Sequence, residues 1–390
     1  MKKILLFLLI NIFLNNLFAQ EETKKVELNG YLSNMQSVQF QDIHGEWIND
    51  NIIQNRINFN WYPTKHLTIN AGLRTRLFTG ESVKIIPNYG GLLKDSELGL
   101  WNMNYNVIEE QSVILNMNID RLFLQFEKGN FSATIGRQRI NWGNTFVWNP
   151  NDLFNTYSFF DFDYVERPGS DAIKLKYFTS EVSSIELAAK IDKNEDITSA
   201  LLWKFNHWNY DFQLLGGILN SSDYAIGGGW SGAIKSFDFK GEITYLRPCK
   251  NISDTIGQLM GSLMMGYTFN NSLDLKFEFL YTEIPTNGIS GFYQYYYSPL
   301  SVKTLSFTEY NLFLQAGYQI TPLITGSLSG MYYPAIQGYF IGPSFDFSFT
   351  DNLYASVVVQ TFSGEMKNPI SLLKEREYAT FGYLRLKWSF

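Results

Sequence analysis

Apolar and polar residues alternate along this chain with a period of two over most of its length. In "NSLDLKFEFLYTE", Leu273, Leu275, Phe277, Phe279 and Tyr281 share one face of an extended segment, and Asp274, Lys276, Glu278 and Thr282 share the other. In "NIIQNRINFNW", Ile53, Ile57, Phe59 and Trp61 oppose Gln54, Arg56, Asn58 and Asn60. Such segments of roughly ten residues are joined by connections that alternate between tight and long, as a wall crossing a membrane back and forth requires. The tight connections fall at 62–66, 128–130, 179–183, 207–209, 235–237, 270–272, 320–322 and 350–352. The opposite set falls at 39–48, 80–114, 141–169, 193–196, 219–223, 247–256, 286–304, 335–338 and 364–377. The spacing predicts an all-β, antiparallel up-and-down transmembrane barrel of about 18 strands, 16 being the alternative count, with short periplasmic turns and long outer loops.

A closed sheet is required because an open edge in lipid leaves backbone groups unpaired at several kcal/mol each. Amphipathic strands alone also suit a soluble sandwich, and the start of the chain decides against that. "MKKILLFLLINIFLNNLFAQ" carries Lys2 and Lys3, an apolar run from Ile4 to Leu14 and a small residue, Ala19, at a cleavage position. It reads as a secretory leader over 1–19, with one barrel domain over 20–390. The first strand, "VELNGYLSNMQSV", begins soon after the leader, which leaves no room for an N-terminal plug domain.

Composition agrees. The chain is 45% hydrophobic and 17% aromatic, yet its mean hydropathy is only -0.13, because lipid-facing and lumen-facing positions cancel. Tyr and Trp gather near strand ends, as in Trp61 and Tyr62, Trp208 and Tyr210, Tyr332 and Tyr333, and Trp388, and these are expected to form interfacial girdles. Cys249 is the single cysteine, so no internal disulfide framework exists. The formal charge of -6 excludes a general nucleic-acid binder.

With the apolar face of each strand toward lipid, Arg56, Arg74, Arg76, Arg121, Arg137, Arg139, Lys174, Lys176, Arg385 and Lys387 are expected to point inward. Most belong to the first six strands or the last, which become neighbours on closure, so a basic track down one wall is expected. The densest stretch runs "GRQRINWGNTFVWNPNDLFNTYSFFDFDYVERPGSDAIKLKY" from one strand through a loop into the next. Gly136 is expected to mark a bulge that turns both Arg137 and Arg139 inward. The loop carries Asp152, Asp161, Asp163 and Glu166, then Arg167 and Asp171. Its aromatic side chains favour cover over solvent, so the segment near 141–169 is expected to fold into the mouth and set carboxylates opposite the basic wall.

A strand ending "GRQRINWG", then "NPNDLFN", then "ERPGSDAIKLKY", resembles porin-like outer-membrane barrels broadly related to alginate-export and other solute-channel families, and "FAQ" resembles the leader ends of Bacteroidota exports. The resemblance implies an outer-membrane channel in which Arg137, Gln138, Arg139 and Trp142 line or brace a constriction. Inward arginines do not recur on every strand, which argues against a duct for anionic polysaccharide. The closing "YLRLKWSF", with Leu384, Leu386, Trp388 and Phe390 on one face, resembles the signal by which such barrels reach the barrel-assembly machinery.

The function expected is passive diffusion of small polar or charged solutes through the outer membrane, with outer-membrane lipids, a small solute and the assembly machinery as partners, and a homo-oligomer or a surface partner at the outer loops as a further expectation. No cofactor, metal or catalytic residue is expected. A first rival is a non-conducting barrel within a secretion or surface-polysaccharide assembly. A second is an outer-membrane hydrolase built on His44, which stands beside Asp42 and Glu46 in "QDIHGEW".

Overall fold

The computed structural model describes residues 25–161, 166–250, 252, 256–283, 292–297, 300–367 and 373–390. The leader expected at 1–19 and Asp163 of the expected constriction lie outside the described residues.

Alternation becomes wall in chain order: β1 (Val26–Phe40), β2 (Ile48–Thr64), β3 (Leu67–Gly80), β4 (Asn104–Glu110), β5 (Val113–Lys128), β6 (Phe131–Gln138), β7 (Ser170–Ser180), β8 (Ser183–Ile191), β9 (Ile197–His207) and β10 (Tyr210–Leu219). The second half continues with β11 (Asp223–Ile234), β12 (Phe237–Pro248), β13 (Gln258–Thr268), β14 (Leu273–Thr282), β15 (Tyr310–Thr321), β16 (Ile324–Tyr333), β17 (Gly338–Thr350), β18 (Leu353–Lys367) and β19 (Lys374–Ser389). Every pairing is antiparallel between neighbours, and β19 returns to β1, so 18 strands close a ring. The seam runs from Tyr31 opposite Ser389 to Phe40 opposite Thr380, and Gly30 and Phe390 exchange both backbone hydrogen bonds at 3.0 Å.

The two faces separate as the period of two requires. Ile53, Trp61, Phe277, Leu384, Leu386 and Trp388 are exposed on the outside, while Gln54, Arg56, Glu278 and Thr282 are buried inside. A charge placed on the outer band meets lipid. Leu214, half exposed at the middle of β10, is therefore expected to cost about 2–4 kcal/mol as Leu214→Arg, read from the unfolding equilibrium in vesicles.

All eight expected tight connections lie between the strands they were expected to join. In the one after β9, Trp208 and Asn209 both take positive φ, 52° and 62°, the geometry of a hairpin turn that matches strand twist. The longer connections differ in two places. The expected loop 364–377 is mostly strand, because β18 and β19 stay paired out to Lys367 opposite Lys374. The expected loop 80–114 holds two short helices, Glu81–Ile85 and Tyr89–Asp95, and β4, a nineteenth strand outside the 18-strand count.

This extra strand repairs a gap. β6 pairs with β5 only from Leu122 to Lys128, and β4 occupies the same edge of β5 higher up, from Val113 to Asn118. The segment before β4 then crosses the ends of β6 and β7, bridging Gly99 to Asp192 just past β8.

Candidate functional site

β6 delivers the chain into the lumen at Ile140, and two inward glutamates hold it there. Glu242 of β12 accepts the backbone N–H groups of Asn144, Thr145 and Asn151, the latter two at 3.2 and 2.9 Å. Glu278 of β14 accepts those of Phe146, Val147 and Trp148 at 2.8–3.0 Å, and the Ser262 hydroxyl at 2.9 Å. Six amides that no sheet or helix partners are thus satisfied by two carboxylates. The Trp142 indole N–H donates to Glu186 at 2.6 Å, and Gln213 donates to the Trp142 carbonyl at 3.0 Å.

The glycine run of β11 makes this docking sterically possible. Asn151 donates to the Gly228 carbonyl at 3.0 Å and accepts from Thr244 at 2.6 Å. A Cβ on Gly227 would stand 2.7 Å from the Asn151 amide oxygen. Trp142, Val147, Trp148, Leu153 and Phe154 are all buried, each contributing about 1.5–3 kcal/mol of apolar transfer to the docked state.

Asp152 sits fully buried in this loop, accepting the Asn155 N–H at 3.3 Å. Burial pushes its carboxyl up to about 6, partly offset by the Asn155 amide and the nearby charges of Arg139 and Lys190. Between its ordinary value of about 4 and the raised one, the folded chain holds a proton that the unfolded chain releases, so this group's contribution to stability falls as pH rises through that window. Asp152→Asn is expected to flatten that part of the pH profile, measured from the midpoint of heat-modifiable gel migration between pH 4 and 7.

A second inward segment fills the lumen beside the loop. In the short helix Phe292–Tyr297, Phe292 stacks on Phe362 at 3.8 Å between centroids and Tyr296 on Phe381 at 4.4 Å. Phe160, from the loop, meets Phe340 edge-on at 4.9 Å, and the Phe160 carbonyl accepts from Gln360 of β18 at 3.2 Å. Tyr333 belongs to this cluster, buried 5.0 Å from Phe307, not to the girdle expected for it; its neighbour Tyr332 alternates outward and is exposed.

The basic residues fall into four environments. Along β2, β3 and β5, Arg56 pairs with Asp120 at 2.5 Å and approaches Glu166 at 3.7 Å. Arg74 donates to Gln54 at 2.8 Å and Arg76 to Asn116 at 2.9 Å. Arg121 grips the carbonyls of Glu166 and Arg167 at 2.5 and 2.9 Å. It faces inward next to Asp120 because the β3–β5 register shifts between Gly72 and Leu73. Lys387 lies 4.2 Å from the Tyr31 ring, whose hydroxyl donates to Glu166 at 3.2 Å, and Arg385 reaches Ser356 at 3.5 Å. These residues do gather on adjoining strands, together with Glu166. Lys174 and Lys176 stand apart on β7, half-buried, with Lys176 over Phe178.

Arg137 is elsewhere. Pairing runs unbroken through Gly136, so no bulge forms; the glycine instead takes φ 115°, where a Cβ would stand 2.3 Å from the Leu122 carbonyl. By register Arg137 opposes outward-facing Leu122 and Asp171. It is nonetheless buried, because the segment leading to β4 covers it. Its guanidinium binds Asp171 through two bonds of 2.7 Å, Glu97 at 2.8 Å and the Trp101 carbonyl at 2.6 Å. Arg137 and Asp171 therefore lock the ends of β6 and β7 to the segment that covers them and do not face the solute path. Gln138 is likewise committed, donating to the carbonyls of Thr134 and Ala172 at 3.1 Å.

Arg139 lies in the loop, 5.6 Å from the Tyr157 ring, whose other neighbour is Arg167 at 4.3 Å. The Nε of Arg139 is buried without a hydrogen bond among the described residues. Asp161 is exposed, and its carbonyl accepts from Arg167 at 2.6 Å. His44 stands exposed in the first outer loop, its backbone N–H donating to Asp42 at 2.9 Å. The carboxylates that hold the loop, Glu242 and Glu278, were not expected as site residues; the signal open to sequence reading was an inward acid in the middle of a strand.

No family model matches the chain, and no curated protein matches it. Among solved structures, the barrel is similar to OccAB4 of Acinetobacter baumannii, with a TM-score of 0.60 and 11% identity over 95% of this chain and 100% of that one. It is similar to OccAB3 of the same organism, with a TM-score of 0.60 and 10% identity over 94% and 99%. It is similar to OpdQ of Pseudomonas aeruginosa, with a TM-score of 0.57 and 8% identity over 94% and 99%. At these identities the likeness is one of fold.

Proposed function

We propose that the chain, exported by its leader, is an outer-membrane channel for passive diffusion of small polar or charged solutes, narrowed by the loop that follows β6. The observation that carries this reading is the loop itself: a segment sewn across an 18-strand lumen by backbone bonds to two wall carboxylates, beside a wall rich in Arg and Lys. Likeness in fold to the Occ barrels supports it. The resemblance of 136–177 to solute-channel families supports it further, whereas the scarcity of inward arginines on β9 to β18 speaks for small solutes over polysaccharide. Leu384, Leu386, Trp388 and Phe390 belong to the same proposal as the insertion signal.

The test is single-channel conductance of the refolded protein in planar bilayers under a salt gradient. Discrete conductance is expected, and Arg139→Ala is expected to move the reversal potential toward cation preference, because it removes a charge of the loop that no carboxylate among the described residues pairs directly. The buried aromatic cluster around Phe160 and Phe292 favours a second reading, a closed barrel serving an assembly at the cell surface. Silence from demonstrably folded protein would establish that reading in place of the first.

A further inference from the structure

Resting on the reading of the lumen as a solute path, we propose that the inward faces of β15 to β19 hold a binding subsite for a neutral, polyhydroxylated solute the size of a single sugar ring. A cavity of about 230 Å³ lies there beneath the folded-in loop. That volume is the share of about eight waters in the liquid, room for one such molecule and little more.

Its lining differs in kind from the basic wall of β2, β3 and β5. Ser327, Ser329, Ser344, Ser356, Gln315 and Gln360 supply hydroxyls and amides in place of long cations. The two charges among its described lining residues are opposite and flank one serine. Asp346 accepts from Ser356 at 2.6 Å, and Arg385 donates to the same hydroxyl at 3.5 Å. The described lining therefore carries no net charge and offers neither an anion nor a cation a decisive advantage.

The polar groups are already positioned by one another. Ser327 and Ser344 share a hydrogen bond of 2.7 Å across β16 and β17, and Gln315 donates to Ser329 at 2.9 Å across β15 and β16. A hydroxyl has one donor and two acceptor sites, so each serine so engaged keeps capacity for a ligand hydroxyl. Phe159 and Phe340 supply the apolar boundary, their rings 6.4 Å apart and nearly perpendicular, which presents a flat face for the C–H side of a sugar ring. Rigid strands fix the hydrogen-bonding groups, and among the described residues the loop contributes Phe159. Polar orienting groups against an apolar surface are the usual make-up of a small-molecule site.

The test is saturation-transfer NMR on the folded barrel in detergent micelles, with D-glucose as probe and acetate as the charged comparison. Transfer to the glucose ring protons is expected, with none to acetate. Ser327→Val combined with Ser344→Val is expected to weaken glucose binding about tenfold, since two hydroxyl partners are lost. Ser356→Ala, a smaller change that is safer for folding, is expected to weaken it in the same direction, with heat-modifiable migration confirming the fold of each variant. Absence of transfer to glucose in the native protein, equal transfer to acetate, or binding undiminished in folded variants would overturn the subsite. Binding does not need an open pore, so a barrel that conducts without binding glucose refutes the subsite alone. One that binds glucose without conducting refutes the channel alone.

Discussion

Glu242→Ala combined with Glu278→Ala releases the loop after β6 and raises single-channel conductance severalfold. The two side chains accept six backbone amides between them. Each buried amide left unsatisfied costs about 1–3 kcal/mol, so the docked state loses several kcal/mol against an undocked loop whose amides meet water. The apolar burial of Trp142, Trp148 and Phe154 opposes release but does not restore any hydrogen bond. Glu→Gln at both positions should give an intermediate conductance, because a side-chain amide keeps one acceptor oxygen and turns a donor toward the remaining N–H groups. The second readout is protease cleavage within 139–161 in intact vesicles, expected in the alanine variant and not in the native protein. Unchanged conductance together with a protected loop would show that packing alone holds it.

Arg137→Ala has a different outcome: the barrel loses about 3–5 kcal/mol of stability and its ion preference stays as it was. Removing the guanidinium leaves Asp171 and Glu97 in a dry gap of the wall with no cation in contact. The carbonyl of Trp101 loses its donor as well. Because an unpaired buried charge is the main penalty, Arg137→Met with Asp171→Leu and Glu97→Gln should recover part of the loss. Urea unfolding from vesicles gives the stability, and the reversal potential under a salt gradient gives the preference. A selectivity change without destabilisation would return Arg137 to the solute path.

The wall was legible because two independent signals coincide. Period-two patterning marks strands such as β2 and β14, and turn chemistry closes them, as in the left-handed pair Trp208 and Asn209. The inward loop was legible only as a demand: Phe159 and Phe160 need cover, and a barrel offers it inside. Its anchors were not, since Glu242 and Glu278 look like any lumen carboxylate until six amides arrive from about a hundred residues or more away in the chain. Arg137 was misplaced for a topological reason. A bulge at Gly136 would have turned it inward, whereas the chain keeps its register and the segment leading to β4, which sequence shows only as part of a long loop, covers the arginine from outside. Tyr333 shows the converse: strict alternation with Tyr332 already placed one of the two inside.

The loop after β6 also has a mechanical meaning. It leaves the wall between β5 and β7 and fastens to β12 and β14, well round the ring from its point of departure. A hoop of 18 strands without internal support ovalises under lateral pressure, since bending a sheet is cheap compared with breaking it. A strut pinned to the hoop at both ends fixes one diameter. Lateral pressure then reaches the loop as compression along that line, and the two glutamates bear the thrust at its far end.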